Sequence, residues 1–425
     1  MLVDAKMSSR IAIAALISIF IRIILFFIIY KGSLLLNPDD EGVFYIAKNY
    51  IEGHGYTVLR NGIYEPSAFH ASTPVFIYKW LIQAGISKNA WSLFICIFSL
   101  FTFFISAFYF YNLCVKFLNG RVAFFATLTY LFYPSVLIYV GTCITYENFV
   151  MPMLVITVFL LVHTYQKGEM KLNDFLLLLL LSCISCIFKS NVLSVYVILF
   201  FLSTVMNLFK RRYGLAVSLS IISVIVSIVH IPVLIKNKDL FGEYILSTQS
   251  GYELLQGHNP TARGSWMGNW REKSSPIYKY AHENIVGIDN MNEFEESIAR
   301  KKLAVQWIKS NPLQEVVLLV RKSIIYFIPQ NLEIVRTSSF YNPINFAVHI
   351  LFISMVLYLI LTKSVYEEDF ILIAPFIGSF AVTLLYFVGY RWRYYAEPFM
   401  ILYAWRMIDV MNQYYNAKRQ MSQLK

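Results

Sequence analysis

Apolar runs of about 18 residues or more recur from one end of this chain to the other, and nothing else constrains its fold so tightly. A soluble domain of 425 residues has no use for a composition that is 58% hydrophobic and only 14% charged. The runs predict an all-α polytopic membrane protein of roughly eleven spans. They fall near 11–30, 91–113, 121–140, 148–165, 174–188, 192–209, 214–235, 313–330, 344–362, 370–388 and 394–412. Because the first run lacks a small-residue cleavage site and exceeds a signal-peptide core, it predicts a retained anchor.

The net charge of +11 does not mark a nucleic-acid partner, because the bases are scattered among the ends of apolar runs. Lys6, Arg10, Lys116, Arg121, Lys167, Lys171 and Lys210-Arg211-Arg212 fall on one side if the N-terminus lies inside. The polar segments 31–90 and 236–312 then lie outside. Three regions follow: 1–235 with its first outer loop (31–90), the long loop 236–312, and a C-terminal bundle, 313–425. Arg321-Lys322 interrupts the short run 313–330. If that run crosses, Arg391-Trp392-Arg393 is cytoplasmic and the C-terminus is outside; if it folds back, both assignments invert.

Asn37-Pro38-Asp39-Asp40-Glu41 follows the first span directly. These residues suit a helix start, with Asn37 as N-cap, Pro38 at the first position and acids facing the positive dipole end. They also suit a catalytic carboxylate held at a membrane surface. Helical spacing of Phe44, Tyr45, Ala47, Lys48 and Ile51 predicts an interfacial helix over 38–52. A second short helix is expected after Pro74, and another over 293–310. Arg22, near the middle of the first span, is either functional or a snorkelling cation. Five cysteines lie in or beside apolar runs, Cys183 and Cys186 among them, with no second pair to complete a metal site.

Several stretches, in order, resemble the GT-C superfamily of integral-membrane glycosyltransferases. Its relatives in that likeness are the family-39-type enzymes, protein O-mannosyltransferases and lipid A aminoarabinose transferases. Asp39-Asp40-Glu41-Gly42 and Glu52-Gly53-His54-Gly55-Tyr56 resemble the family's first outer loop. Tyr133-Pro134-Ser135 through Thr145-Tyr146-Glu147 resembles its second acidic motif, and Phe188-Lys189-Ser190-Asn191 stands where the family places a basic residue. Pro232 to Lys236-Asn237 and Phe241-Gly242 resemble the opening of the long loop. Gly251 to Gly257-His258-Asn259-Pro260 resembles its glycine- and asparagine-rich motif. Trp307-Ile308 to Asn311-Pro312, Lys322, and Tyr390-Arg391-Trp392-Arg393-Tyr394 before Glu397-Pro398 complete the set. Two departures stand out. Phe69 to Thr73 replaces a basic residue and a Pro-Pro-Gly-like turn, and Lys236 replaces a more usual arginine, losing its bidentate fork.

The resemblance implies transfer of a sugar from a polyprenyl-phosphate donor to a glycan, lipid or protein acceptor at the outer face of the cytoplasmic membrane. A carboxylate must take the acceptor's proton, and cations must hold the leaving phosphate. Asp40 is the favoured base, with Asp39 and Glu41 beside it and Glu147 orienting base or acceptor. Lys189, Lys236, Arg391 and Arg393 are the expected phosphate ligands, and His258 and Asn259 the expected substrate-loop residues. Glu147 also reads as a helix-start acid, and Lys189 as a charge solvated in a tight turn. No cofactor is required, and no His/Asp/Glu spacing indicates a dedicated divalent-cation site. An O-antigen-type polymerase or ligase is the rival enzyme. A transporter or flippase is the rival of another class, although no paired internal repeat supports it.

Overall fold

In a computed structural model of the chain, residues 5–30, 38–60, 62–70, 72–139, 146–265, 272–327 and 343–423 are described. For 5, 29–30, 38–41, 72, 138–139, 390–391 and 422–423 the description covers the backbone alone. The protein is an all-α membrane-type bundle. Among the described residues seven helices are long and apolar enough to cross a membrane, and Gly120–Phe132 and Leu172–Phe188 are shorter apolar helices.

The first helix, α1 (Ala5–Tyr30), leads into α2 (Pro38–Ile51), a hairpin of β1 (Thr57–Arg60) and β2 (Ile63–Pro66), and α3 (Ser72–Gln83). The bundle continues with α4 (Lys88–Val115), α5 (Gly120–Phe132), α6 (Pro134–Tyr139), α7 (Glu147–Lys167), α8 (Leu172–Phe188), α9 (Leu193–Phe209) and α10 (Tyr213–Ile228). Helix α11 (Ile231–Phe241) continues α10, the two together forming one of the seven candidate spans, and the long loop holds α12 (Gln249–Gly257), α13 (Pro276–Asn284) and α14 (Glu293–Ser310). Then come α15 (Pro312–Phe327), α16 (Pro343–Thr362), α17 (Glu367–Leu385), the single turn α18 (Tyr390–Arg393) and α19 (Glu397–Gln423).

The helices expected over 38–52, after Pro74 and over 293–310 are present. The expected spans 121–140 and 214–235 are each broken. Pro134 cannot donate a backbone hydrogen bond, so α5 ends there and α6 restarts. A second break at Val229-His230 precedes Pro232, which sits in the first turn of α11. The antiparallel hairpin was not expected, although Asn61-Gly62 between β-prone residues is a strong turn signal.

The core is centred on α7, which is buried almost all round and packs against α4, α8 and α17. Between apolar helices in lipid, close approach supplies what the hydrophobic effect cannot. Gly378 on α17 is such a point: a Cβ there would sit 2.6 Å from the Cα of Val195 on α9. Gly378→Val is therefore expected to push the two helices apart. It should destabilise the protein by about 1–3 kcal/mol, read as a lowered Tm in detergent, with an unchanged Tm contradicting the close packing.

Polar contacts define the bundle's two ends. At one, Tyr165 on α7 and Lys210 after α9 both reach Glu367 at the start of α17. Asn119 donates to Asp409 there, and Arg406 pairs with Asp369. At the other, Glu147 meets Lys189, and Ser135 meets Glu397 at the start of α19. Helix α17 thus starts at the Glu367 end and finishes at the Glu147 end, while α19 runs back. Tyr326 and Lys322 of α15 touch Ser379 and Leu384, in the last third of α17. Since α16 must reach the start of α17, it sets out from the Glu147 end. Helix α15 thus enters beside the last third of α17 from the Glu147 end, the same end from which α16 starts. The turn Tyr390–Arg393 lies at the Glu147 end, beside Tyr326 and Glu397.

Candidate functional site

Glu147 is the first residue of α7, and Lys189 caps the C-terminus of α8. Each charge complements the dipole of its own helix. The two helices form a tight antiparallel hairpin, turned at the left-handed Gly168, so that the acid and the base arrive side by side. Lys189 Nζ lies 2.8 Å from Glu147 Oε1. The Glu147 side chain is 3% exposed and that of Lys189 24%, so one partner is sunk and the other looks out. Tyr146, Phe149 and Phe188 pack against one another beside the pair, with ring centroids 5.2–6.1 Å apart. These rings exclude water and strengthen the attraction. An ammonium carries three donors, so Lys189 can hold Glu147 and still turn an N–H toward an anion.

The stretch 38–41 begins α2, as the proline and acids suggest. Asn37 lies outside the described residues, as do the side chains of Asp39, Asp40, Glu41 and Arg391. The helix is tied to the Glu147 neighbourhood by rings: Phe44 to Tyr78, Tyr78 to Trp91, Trp91 to Phe94, Phe94 to Phe98, and Phe98 to Phe149. This chain of contacts brings α2, α3, α4 and α7 to the same end of the bundle.

The other sequence candidates do not gather on Lys189. Lys236 places its ammonium 3.3 Å from the centre of the Tyr56 ring, within the electrostatic reach of Glu293. Arg393 donates to the Tyr326 carbonyl at 3.0 Å and lies 3.6 Å from Glu397, which also accepts from Ser135. Both charges are fully buried, and the pair staples α19 to α5–α6 and α15. Asn259 spends its amide on the carbonyl of Leu255 and accepts from Thr261, shaping the turn after α12. His258 donates from Nδ1 to Glu315, and its Nε2 lies 2.8 Å from the Leu385 carbonyl and 3.0 Å from Lys322 Nζ.

Three polar residues of this end were not singled out as site residues from the sequence. Glu293, in the first turn of α14, accepts from Ser67 Oγ at 2.7 Å and the Ala68 amide at 2.9 Å, and also from Thr248. Glu296, one turn on, holds Arg60 and Arg300. Together they fasten the long loop to the hairpin segment, and their partners there, Arg60, Ser67 and Ala68, more than 200 residues away, leave no local mark. Glu315 is the third. Arg22 proves buried rather than snorkelling: it donates to the Leu131 carbonyl at 3.2 Å and lies 3.5 Å over Phe103. Ser18 donates to the same carbonyl at 2.6 Å, one left over where α5 stops before Pro134. Among the described residues no group of three or more His, Cys, Asp or Glu stands close enough to hold a metal ion.

No protein-family model matches the chain, and no curated protein matches it at a significant level.

Proposed function

We propose that this protein is a membrane glycosyltransferase that moves a sugar from a polyprenyl-phosphate-linked donor to a glycan, lipid or protein acceptor. The observation that carries the reading is the Glu147–Lys189 pair: a buried acid and a part-exposed cation at the bundle end where α2 begins with Asp39, Asp40 and Glu41. Transfer from a lipid phosphate requires a base and a phosphate-holding cation at one membrane surface. In this reading Asp40 takes the acceptor's proton as the acceptor attacks the anomeric carbon. The sugar–phosphate oxygen bond breaks, and the phosphate leaves with the electron pair toward Lys189. Glu147 holds Lys189 in place. Arg391 adds a cation at the same end.

The arrangement assigns Lys236, Arg393, His258 and Asn259 to shaping the surrounding wall, since each already serves a protein partner. In this reading α15 folds back, the described helices make one crossing fewer than the eleven expected, and α1 starts and α19 finishes at the Glu367 end. The bases of the short loops cluster there, and by the positive-inside rule this reading takes that end as the cytoplasmic side of a bacterial-type cytoplasmic membrane and the site as outside. A transporter of lipid-linked sugars is the competing reading. Consumption of radiolabelled polyprenyl-phosphate sugar by purified protein in detergent separates the two, because transport requires a sealed membrane.

A further inference from the structure

The corner where α14 passes into α15 has the surface chemistry of a lipid seat. Residues 297–327 contain six bases and one acid. The acid, Glu315, is turned inward, as are Arg300 and Lys322. Lys301, Lys302, Lys309 and Arg321 remain exposed, so the outward charge of this stretch is wholly positive. On α14 the three lysines, with Ile298, Val305 and Gln306, line a shallow depression of ≈ 630 Å³.

Helix α15 is inverted with respect to water. Leu313, Val316, Val317, Val320 and Ile324 fall on one face at helical spacing and are 53–82% exposed. Its charged residues Glu315 and Lys322 are packed against the protein. Exposed aliphatic area of this kind costs about 25 cal/mol per Å² in water and nothing in lipid. In the proposed topology α15 does not cross, so this stripe is met by an interface rather than a full bilayer. Only Asn311 separates α14 from α15, and Lys309 precedes Leu313 by four residues. The basic depression therefore ends where the apolar stripe begins.

We propose that this corner binds an anionic phospholipid, its phosphate on Lys301, Lys302 and Lys309 and its acyl chains along the stripe of α15. Charge complementarity selects an anionic headgroup over a zwitterionic one, and the adjoining stripe selects a lipid over a soluble anion. Lys301, Lys302 and Lys309 have no part in the proposed transfer, so failure of this site would leave the reading of the Glu147–Lys189 pair untouched.

The test uses the full chain in nanodiscs of phosphatidylcholine, with and without phosphatidylglycerol. Phosphatidylglycerol is expected to raise the Tm of the wild type. In K301Q/K302Q/K309Q that increment should vanish while the Tm in phosphatidylcholine alone stays the same. Affinity for the anionic lipid should fall roughly a hundredfold, from about fivefold for each surface lysine. Spin labels at single cysteines replacing Val317 and Val320, in a background free of native cysteines, should be accessible to oxygen and shielded from an aqueous nickel complex. The proposal is overturned if the triple variant keeps the whole increment, if inorganic phosphate in phosphatidylcholine produces the same increment, or if the labels are open to water.

Discussion

Asparagine in place of Asp40 is expected to lower turnover by about 10²–10⁴-fold, the range contributed by a positioned general base. Donor affinity should stay close to that of the wild type, because the amide preserves the shape of the site and no phosphate contact is lost. Asp40 belongs to the first turn of α2, whose positive end steadies a carboxylate. In the proposed mechanism it accepts the proton of an attacking hydroxyl or amine. An amide at the same place cannot. Turnover and donor binding measured on the same monodisperse preparation separate loss of chemistry from loss of fold. Wild-type turnover in Asp40→Asn would remove Asp40 as the base and move the test to Asp39 and Glu41.

The second large effect concerns Lys189, and the ion pair changes how it must be tested. Lys189→Ala alone leaves the buried Glu147 without its cation, and breaking one side of a buried pair costs about 3–5 kcal/mol. That variant would lose stability whether or not Lys189 meets a phosphate. Glu147→Gln/Lys189→Met removes both charges and keeps the bulk, so most of that stability should return. If Lys189 serves only as the partner of Glu147, turnover returns with it. The present account expects a folded double variant that remains defective. A charge-assisted contact to the donor phosphate contributes about 1.5–3 kcal/mol, so donor affinity or turnover should stay roughly ten- to hundredfold down. Lys189→Arg keeps the charge and should recover part of the function with altered geometry. Normal turnover and donor affinity in the double variant would end the phosphate role.

How much of this could be read from residues alone differs between elements. The α7–α8 hairpin was nearly complete in the sequence: apolar runs bounded by Glu147, Lys167, Lys171 and Lys189 fix both helices and put acid and base at one end. That they touch at 2.8 Å required the structure, because ion-pair distance depends on how two helices lean. Helix α15 was undecidable from loop charges. Its stripe of Leu313, Val316, Val317, Val320 and Ile324 has the period of an amphipathic helix, but which face meets the protein depends on where α17 ends. The grip of Glu293 on Ser67 and Ala68 had no sequence signature, since first-turn acids commonly do no more than face the helix dipole. The β-hairpin was legible in Asn61-Gly62, a two-residue turn signal between β-prone residues.

The most direct test of the account is whether the purified protein, in detergent and with no sealed compartment, consumes a radiolabelled polyprenyl-phosphate sugar in the presence of a cell-envelope acceptor fraction. The wild type is predicted to release polyprenyl phosphate and pass the label to an acceptor, and Asp40→Asn to do neither while still binding the donor. Binding of the donor without consumption by the wild type, together with movement of the label across vesicle membranes, would contradict the account and identify a transporter.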